Sequence, residues 1–136
     1  MESLTSRYLQ RLTPPWRGET RAFRAEAALL EAITVERKAA PAAVWLLDAR
    51  GKHLSSEQLA QHFSAARESG RRRVIAAIGP PDGWSAAAKA VLGSGDLLLS
   101  LGAMTLPHEL ARVVLAEQIY RATTILAGHP YHLGHE

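Results

Sequence analysis

Three short apolar runs constrain the fold of this chain more than any other feature. They are AAVWLLDA (42–49), RVIAAIG (73–79) and DLLLSLG (96–102), and none of them has a polar face. A helical pattern follows each run after one or more glycines. Strands that are apolar on both faces and alternate with helices are typical of a parallel sheet covered on both sides. The sequence therefore predicts an α/β fold with a parallel sheet.

The predicted helices between and before these strands carry clear end signals. Ser55 and Gln58 have the spacing of a capping box at the start of the first crossover helix, and Gly70 suits its C-terminal end. A second, Ala-rich crossover helix is predicted over 84–92. Helix propensity predicts one long helix over 19–39, with a shorter helix before it.

The last predicted helix runs from about Pro107 to Ala127. Its apolar residues lie on two sides, which indicates two packing partners: the sheet and a second subunit, or two layers of the same monomer. One side carries Leu115, Ile119, Ala122 and Leu126, and the other carries Leu110, Val113 and Val114.

Composition narrows the class of protein. The 136 residues suggest one domain with a modest core. The absence of cysteine excludes disulfides, thiolate nucleophiles and zinc–cysteine sites. No apolar run approaches the roughly 20 residues of a membrane helix. A net charge of +3 is compatible with an RNA partner. We predict a cytoplasmic protein with no membrane association.

Ligands of parallel α/β sheets bind beyond the carboxyl ends of the strands. That rule selects three loops: DARGKH (48–53), GPPDGW (79–84) and LGAMTLPH (101–108). Each contains glycine, which allows backbone to approach a ligand closely. Neither a P-loop nor GxGxxG is present, so a phosphate-anchored nucleotide site is not supported. Backbone groups of such loops could instead hold an uncharged adenosine.

The same geometry sorts the charged residues. Arg50 and Lys52 follow the carboxyl end of a strand and would flank the ligand. The run 71–73, three arginines, precedes a strand and therefore belongs at the opposite edge. We interpret it as a solvated turn and not as a nucleic-acid motif.

Three histidines recur at every third position of the tail, namely His129, His132 and His135. Such spacing could ligate a metal on one face of a helix. Pro130 and Gly134 oppose a helix there, so we predict no metal site and keep a metal-binding regulator only as a remote alternative.

The segment LGAMTLPHELARVVLAEQIYRATTILAGHPYH (101–132) closely resembles the C-terminal signature of the RlmH (YbeA-like) family. These are SPOUT-class methyltransferases of ribosomal RNA. LLDARGKHLSSEQLA (46–60) and IGPPDGW (78–84) resemble two further blocks of that family, in the same order and with similar spacing. The resemblance covers about residues 44–132.

The resemblance implies a fold and an assembly. The expected fold is a parallel-sheet SPOUT fold with a C-terminal trefoil knot, whose N-terminal strands are missing or shortened here. Residues 1–136 would form one methyltransferase domain, with a shortened helical part (1–40) and a cofactor-binding, knotted part (41–136). The resemblance also implies a homodimer whose active site lies near the subunit interface.

The implied reaction is methylation of N3 of a pseudouridine in 23S rRNA on the ribosome, with S-adenosylmethionine as cofactor. By matching motif positions, the cofactor contacts would be Leu47, Gly79, Leu101, Gly102, Ala103, Met104, Thr105 and Leu106. Substitution of Gly79 by valine is expected to block the cofactor cleft.

The N3 atom is an imide nitrogen and must lose its proton to attack, so a base or an anion-stabilising hydrogen bond is needed. The catalytic candidates are His132 and Tyr131 in the tail, with His108 as a weaker third. Arg50, Lys52 and His129 are candidates for RNA contact.

The chain departs from the family pattern in two further places. The expected GGP[ED]G loop reads GPPDG, so Pro80 removes one backbone N–H, and Leu133 stands where a basic residue usually follows PYH. The shortened front and Pro80 favour one alternative, a degenerate SPOUT protein that binds RNA or ribosomes without catalysis. A SPOUT methyltransferase acting on tRNA is a further alternative.

Overall fold

A computed structural model describes residues 2–80, 82–102, 104–129 and 131 of the chain. The elements in chain order are α1 (Glu2–Gln10), α2 (Glu26–Ala39), β1 (Ala42–His53), α3 (Ser56–Glu68), β2 (Arg73–Ile78), α4 (Ala86–Lys89), β3 (Leu97–Ser100) and α5 (His108–Leu126). They belong to two compact units. The first takes its described residues from Met1–Arg21, Leu54–Ser64 and Leu106–Glu136, and the second from Ala22–His53 and Ala65–Thr105.

The sheet of the second unit confirms the predicted α/β fold with a parallel sheet. Its strands are parallel and lie in the order β2-β1-β3. The pairing of β1 with β2 runs from Ala42 opposite Arg73 to Leu47 opposite Ile78. On the other side of β1, Leu47 lies opposite Leu99. The described residues before Ala42 form two helices and no strand.

Burial on both faces of β1 explains its unbroken apolar run. Val44 and Leu46 pack with Trp84 in one core cluster, and both have no exposed surface. Trp45 lies on the other face and is 1% exposed. Because each such side chain contributes about 1.5–3 kcal/mol when fully buried, neither face could be polar without a large loss of stability.

A buried carboxylate organises the region where β1 and β3 begin. Asp96 accepts hydrogen bonds from the backbone N–H groups of Val44 and Gly93, each at 2.8 Å. Its other close partner is the guanidinium of Arg37 on α2. The Asp96 side chain is 2% exposed. This one buried carboxylate therefore links α2, the start of β1 and the segment before β3 through hydrogen bonds.

The predicted loop 48–53 is the part of the sheet that sequence reasoning got wrong. Strand β1 continues to His53, and Leu99 lies opposite both Leu47 and Lys52. Residues 48–51, here called the β1 excursion, leave the ladder between these two pairings. Hydropathy could not reveal the return of the strand, because Lys52 and His53 are polar and pair through their backbone.

Gly51 ends the β1 excursion at a close approach to β3. A Cβ atom at this position would lie 2.6 Å from the carbonyl carbon and oxygen of Leu98. Real Cβ atoms do not approach backbone so closely, so the return of β1 to the sheet requires glycine here.

The end signals of α3 are confirmed. The N–H of Gln58 donates to Ser55 Oγ at 3.1 Å, and the N–H of Ser55 donates to Gln58 Oε1 at 2.8 Å. Gly70 follows the helix with φ of +86°.

Two other helices are shorter than predicted. Helix α2 begins at Glu26, and the residues 19–25 before it are all exposed. Propensity without a buried face does not sustain a helix, so the predicted start at 19 is wrong. Helix α4 has four residues, against the predicted 84–92.

Helix α5 has the predicted extent, His108–Leu126, and packs on α1 within the first unit. The rings of Tyr8 and Tyr120 lie 5.9 Å apart. The predicted apolar stripe fails at Leu126, which is 41% exposed. Thr123 and Thr124 are buried instead, because their hydroxyls donate to backbone carbonyls one turn earlier, at 2.8 and 2.6 Å. In the part of the chain that the structure describes, no helix is long and apolar enough to cross a membrane.

Candidate cofactor site

The carboxyl edge of the sheet brings several predicted cofactor residues together. Leu47 lies between Ile78 on one side and Leu99 on the other. The chain therefore leaves the sheet at Gly79 and just after Ser100, on either side of the β1 excursion. All three departures lie at the same edge of the second unit, as the topology rule requires.

Trp84 connects two of these predicted residues. Its indole Nε1–H donates to the carbonyl oxygen of Leu47 at 2.8 Å, and the side chain is 5% exposed. A Cβ atom at Gly79 would lie 2.6 Å from Cε2 of the same indole. The sequence prediction did not include Trp84. The only signal for it in the sequence is an aromatic residue at the end of a Gly- and Pro-rich loop.

The third loop begins with a turn held by a buried serine. Ser100 Oγ accepts from the N–H of Gly102 and donates to its carbonyl oxygen, both at 3.0 Å. Gly102 has φ of +133°, a conformation that glycine adopts readily. Met104 is 84% exposed. Of the other predicted contacts, Ala103 lies outside the described residues and Leu106 belongs to the first unit.

Asp48 is a second group that the sequence prediction missed. Its Oδ1 accepts from the backbone N–H of Arg50 at 2.9 Å. Its Oδ2 is buried, makes no hydrogen bond with any described atom and lies 3.9 Å from Nζ of Lys89. The hydrogen bond from the Arg50 N–H lowers the pKa of Asp48, with its cationic neighbours assisting against burial. The carboxylate is therefore ionised at neutral pH, and its buried Oδ2 lacks a hydrogen-bond donor among the described atoms.

The predicted RNA-contacting cations lie in or just after the β1 excursion. Arg50 pairs with Asp48 through Nε and Oδ1 at 3.5 Å, while 71% of its side chain stays exposed. Lys52 is exposed on the returning strand. Arg73 begins β2, at the opposite edge, and pairs there with Glu36 on α2. The arginine run is thus placed as the topology predicted.

The first unit holds the tail residue Tyr131 in a polar cluster on α5. The phenol O–H donates to Glu117 Oε2 at 3.0 Å, and Arg121 Nη2 donates to the same oxygen at 2.7 Å. The ring centroids of Tyr131 and Tyr120 are 4.6 Å apart, and the guanidinium carbon of Arg121 lies 5.0 Å from the Tyr131 centroid. We call these four residues the tail cluster.

The tail cluster limits the chemistry open to Tyr131. Burial and the Glu117 carboxylate raise the pKa of the phenol above its usual range. The hydroxyl therefore stays protonated at neutral pH, which suits a group that holds the tail better than one that accepts a proton.

The histidine candidates are placed unequally. His129 is exposed, and its Nδ1 accepts from the backbone N–H of Tyr131 at 3.2 Å. His108 is exposed at the first residue of α5. His132 lies outside the described residues, as does His135. Among the residues that the structure places, no three acidic or histidine side chains are grouped to hold a metal.

Comparison with known proteins agrees with this architecture. The family described as "Predicted SPOUT methyltransferase" matches residues 1–132. A protein of Koribacter versatilis (strain Ellin345), named ribosomal RNA large subunit methyltransferase H, is 48% identical over 135 residues, which cover 99% of this chain and 90% of that protein.

Proteins with the same name are similar over a shorter region. That of Chelativorans sp. (strain BNC1) is 54% identical over 90 residues, 66% of this chain and 50% of that protein. That of Brucella anthropi is 53% identical over 91 residues, 67% of this chain and 55% of that protein. The alignments with these two proteins span about half of their length. The family match over residues 1–132 and the Koribacter relative together show that the chain belongs to the SPOUT methyltransferases, within the ribosomal RNA large subunit methyltransferase H family.

Proposed function

We propose that this protein transfers a methyl group from S-adenosylmethionine to N3 of a pseudouridine in 23S rRNA, on the ribosome and in the cytoplasm. The observation that carries the proposal is the convergence of Leu47, Gly79 and the turn at Gly102 at the carboxyl edge of the sheet, in a chain of this family. Membership of the family supports rRNA methylation, and the position of the methyl group is the finer part of the proposal.

The carboxyl edge suits the proposed cofactor chemically. Apolar Leu47 and Leu101 offer contact to a flat base, and glycine backbone at 79 and 102 offers hydrogen bonds without side-chain obstruction. The ionised Asp48 offers an acceptor for a hydroxyl or ammonium donor. When bound, S-adenosylmethionine supplies an electrophilic methyl group on its sulfonium.

Deprotonation of the base and contact with RNA are assigned to a second set of residues in this proposal. The imide proton at N3 must leave before or during attack, and His132 is the proposed acceptor or positioning group. Tyr131 would anchor the segment after α5 through its hydrogen bond to Glu117. Arg50, Lys52 and His129 would contact RNA phosphates, which makes binding weaken with salt. His108 remains a weaker catalytic candidate.

The assembly belongs to the same proposal. We infer a homodimer and a C-terminal trefoil knot from the family. Leu110, Val113 and Val114 on α5 are only half-buried, so the monomer leaves apolar surface there for a second subunit. Size-exclusion chromatography with light scattering tests the dimer.

The decisive experiment measures transfer of radiolabelled methyl from S-adenosylmethionine to ribosomes that lack the modification, with free tRNA in parallel. Label at N3 of a large-subunit pseudouridine is the expected result. Label only in tRNA would keep the enzyme class and overturn the substrate.

One observation favours a second candidate, an RNA-binding protein without catalysis. Pro80 stands where the family pattern has glycine, and its carbonyl accepts the N–H of Gly83 at 2.9 Å in a closed turn. Pro80 cannot donate to a cofactor from its own nitrogen. Ribosome binding without cofactor binding or label would support this candidate.

A further inference from the structure

Trp84 lies against two residues of the proposed cofactor site, Leu47 and Gly79. We propose that Trp84 is a positioning residue, whose indole fixes the Leu47 carbonyl and the Gly79 backbone in the arrangement that accepts the cofactor. This inference rests on the proposed function and names a determinant of cofactor affinity within it.

The Leu47 carbonyl lies where the sheet stops supporting β1. Leu47 is opposite Ile78 in the last pairing of β1 with β2, and the pairing with β3 is interrupted directly after it. The indole Nε1–H donates to this carbonyl at 2.8 Å. Since a peptide unit is planar, fixing the Leu47 oxygen also fixes the direction of the Asp48 N–H, on the opposite side of the same plane.

Gly79 depends on the same ring from the other strand. A Cβ atom there would be 2.6 Å from Cε2 and 2.9 Å from Nε1 of Trp84, so the glycine backbone lies directly against the indole. One side chain therefore sets the separation between the ends of β1 and β2. The proposed cofactor contacts Leu47 and Gly79 cannot shift independently while the ring stays in place.

The ring itself is anchored in the core of the second unit. Trp84 is 5% exposed and belongs to the cluster with Val44, Leu46 and Ala88. Phenylalanine could fill most of that space but has no N–H, so the Leu47 carbonyl would lose its donor. The structure thus assigns two separable tasks to Trp84: filling the core and orienting a carbonyl.

The test separates these tasks with Trp84→Phe and a matched control, Trp45→Phe. Trp45 lies on β1 two residues before Leu47, on the face opposite to the one that packs against Trp84, and is 1% exposed. Both variants shorten a buried tryptophan, and only the first removes the Leu47 bond. The dissociation constant for S-adenosylmethionine is measured by calorimetry, and amide exchange of the ligand-free protein by mass spectrometry.

We expect Trp84→Phe to raise the dissociation constant about five- to tenfold, as for loss of one orienting hydrogen bond. Amide exchange over 47–49 should accelerate in the same variant. Trp45→Phe should lower the melting temperature and leave the dissociation constant within about twofold. Replacement of the Trp84 indole by benzothiophene keeps the shape, removes only the N–H and should reproduce the loss of affinity if Trp84→Phe fails to fold.

Two results would overturn the inference, and they differ. If the unaltered protein binds S-adenosylmethionine and the benzothiophene variant binds it equally well, Trp84 only fills the core and the proposed function stands. If the unaltered protein binds no S-adenosylmethionine, the proposed function fails and the positioning role fails with it.

Discussion

The carboxyl edge of the sheet and the tail cluster are built in different ways. At the edge, the geometry is set by backbone groups and one buried indole. Strand pairing places Leu47, a close approach to Trp84 places Gly79, and a turn held by Ser100 places Gly102. In the tail cluster, ionisable side chains share one carboxylate oxygen of Glu117. Backbone geometry tolerates changes of pH and salt but not of side-chain size. Interactions between charged side chains are sensitive to pH and salt and less sensitive to side-chain size.

The largest expected effect comes from placing volume at the edge. Gly79→Val should lower the free energy of unfolding by about 3 kcal/mol and abolish cofactor binding, because its Cβ would overlap the buried indole of Trp84. Gly93→Val is the control, since the Cβ of Gly93 meets only Asp96 Oδ2, at 3.9 Å. Urea denaturation and calorimetry make the measurement. Intact cofactor binding in Gly79→Val would move the proposed cleft elsewhere.

A smaller effect is expected at the return of β1. Gly51→Ala should cost about 2 kcal/mol, because the added methyl meets the backbone of Leu98, which cannot rotate away. Denaturation in guanidinium chloride measures it. Stability equal to that of the unaltered chain would mean that β1 does not return as closely to β3 as the structure shows.

The tail cluster should lose less stability and more activity. Tyr131→Phe removes the bond to Glu117, so we expect about 1 kcal/mol of stability to be lost, a clear fall in methyl transfer and unchanged cofactor affinity. Tyr120→Phe keeps the ring contact and serves as the control. A changed cofactor affinity in Tyr131→Phe would contradict the division of tasks between the two regions.

The Tyr131 phenol should also titrate abnormally. Its pKa is raised, so stability from the neutral phenol is fully present below about pH 10, the ordinary tyrosine value, and is lost as pH rises through the higher folded value. Absorbance at 295 nm, compared between the unaltered protein and Tyr131→Phe, should assign the last of three tyrosine transitions to Tyr131. Ionisation near pH 10 would show that Glu117 does not hold the phenol.

The smallest effect is expected for Asp48→Asn at neutral pH, where the isosteric side chain keeps the bond from the Arg50 N–H. The Asp48 pKa is lowered, so its contribution is present above about pH 4 and is lost as pH falls through the folded value. Thermal melts from pH 2 to pH 6 should therefore fall less steeply for the variant. An identical pH dependence would remove Asp48 from the acid response.

Sequence patterns predicted the parts of the fold that carry strong local signals. The apolar runs gave all three strands, and the Ser55–Gln58 box gave the start of α3. The polar end of β1 was missed because its pairing is made by backbone across a four-residue excursion. The start of α2 was predicted too early because helix propensity does not report whether one face of the helix is buried.

The candidate site shows a similar division. The rule for parallel sheets selected the loops after β2 and β3, and its third segment, 48–53, covers the β1 excursion and the end of β1. The family resemblance selected residues at this edge. Neither could select Trp84 or Asp48, because the importance of both residues depends on three-dimensional contacts. Trp84 donates a hydrogen bond to the Leu47 carbonyl, and Asp48 Oδ2 is buried without a donor among the described atoms. Burial of Thr123 and Thr124 was equally hidden, because the polarity of the hydroxyl is satisfied within the helix.

The hydrogen bond from Val44 to Asp96 has a consequence for how the chain is made. The two residues are 52 positions apart, so the entrance to β1 emerges from the ribosome well before the carboxylate that fastens it. At typical rates of synthesis this interval is about 3–10 seconds. Throughout it, an apolar strand waits without its partner β3 or its polar anchor. The nascent chain therefore exposes an apolar strand during this interval, and the three-stranded sheet is complete only after Asp96 and β3 have been synthesised.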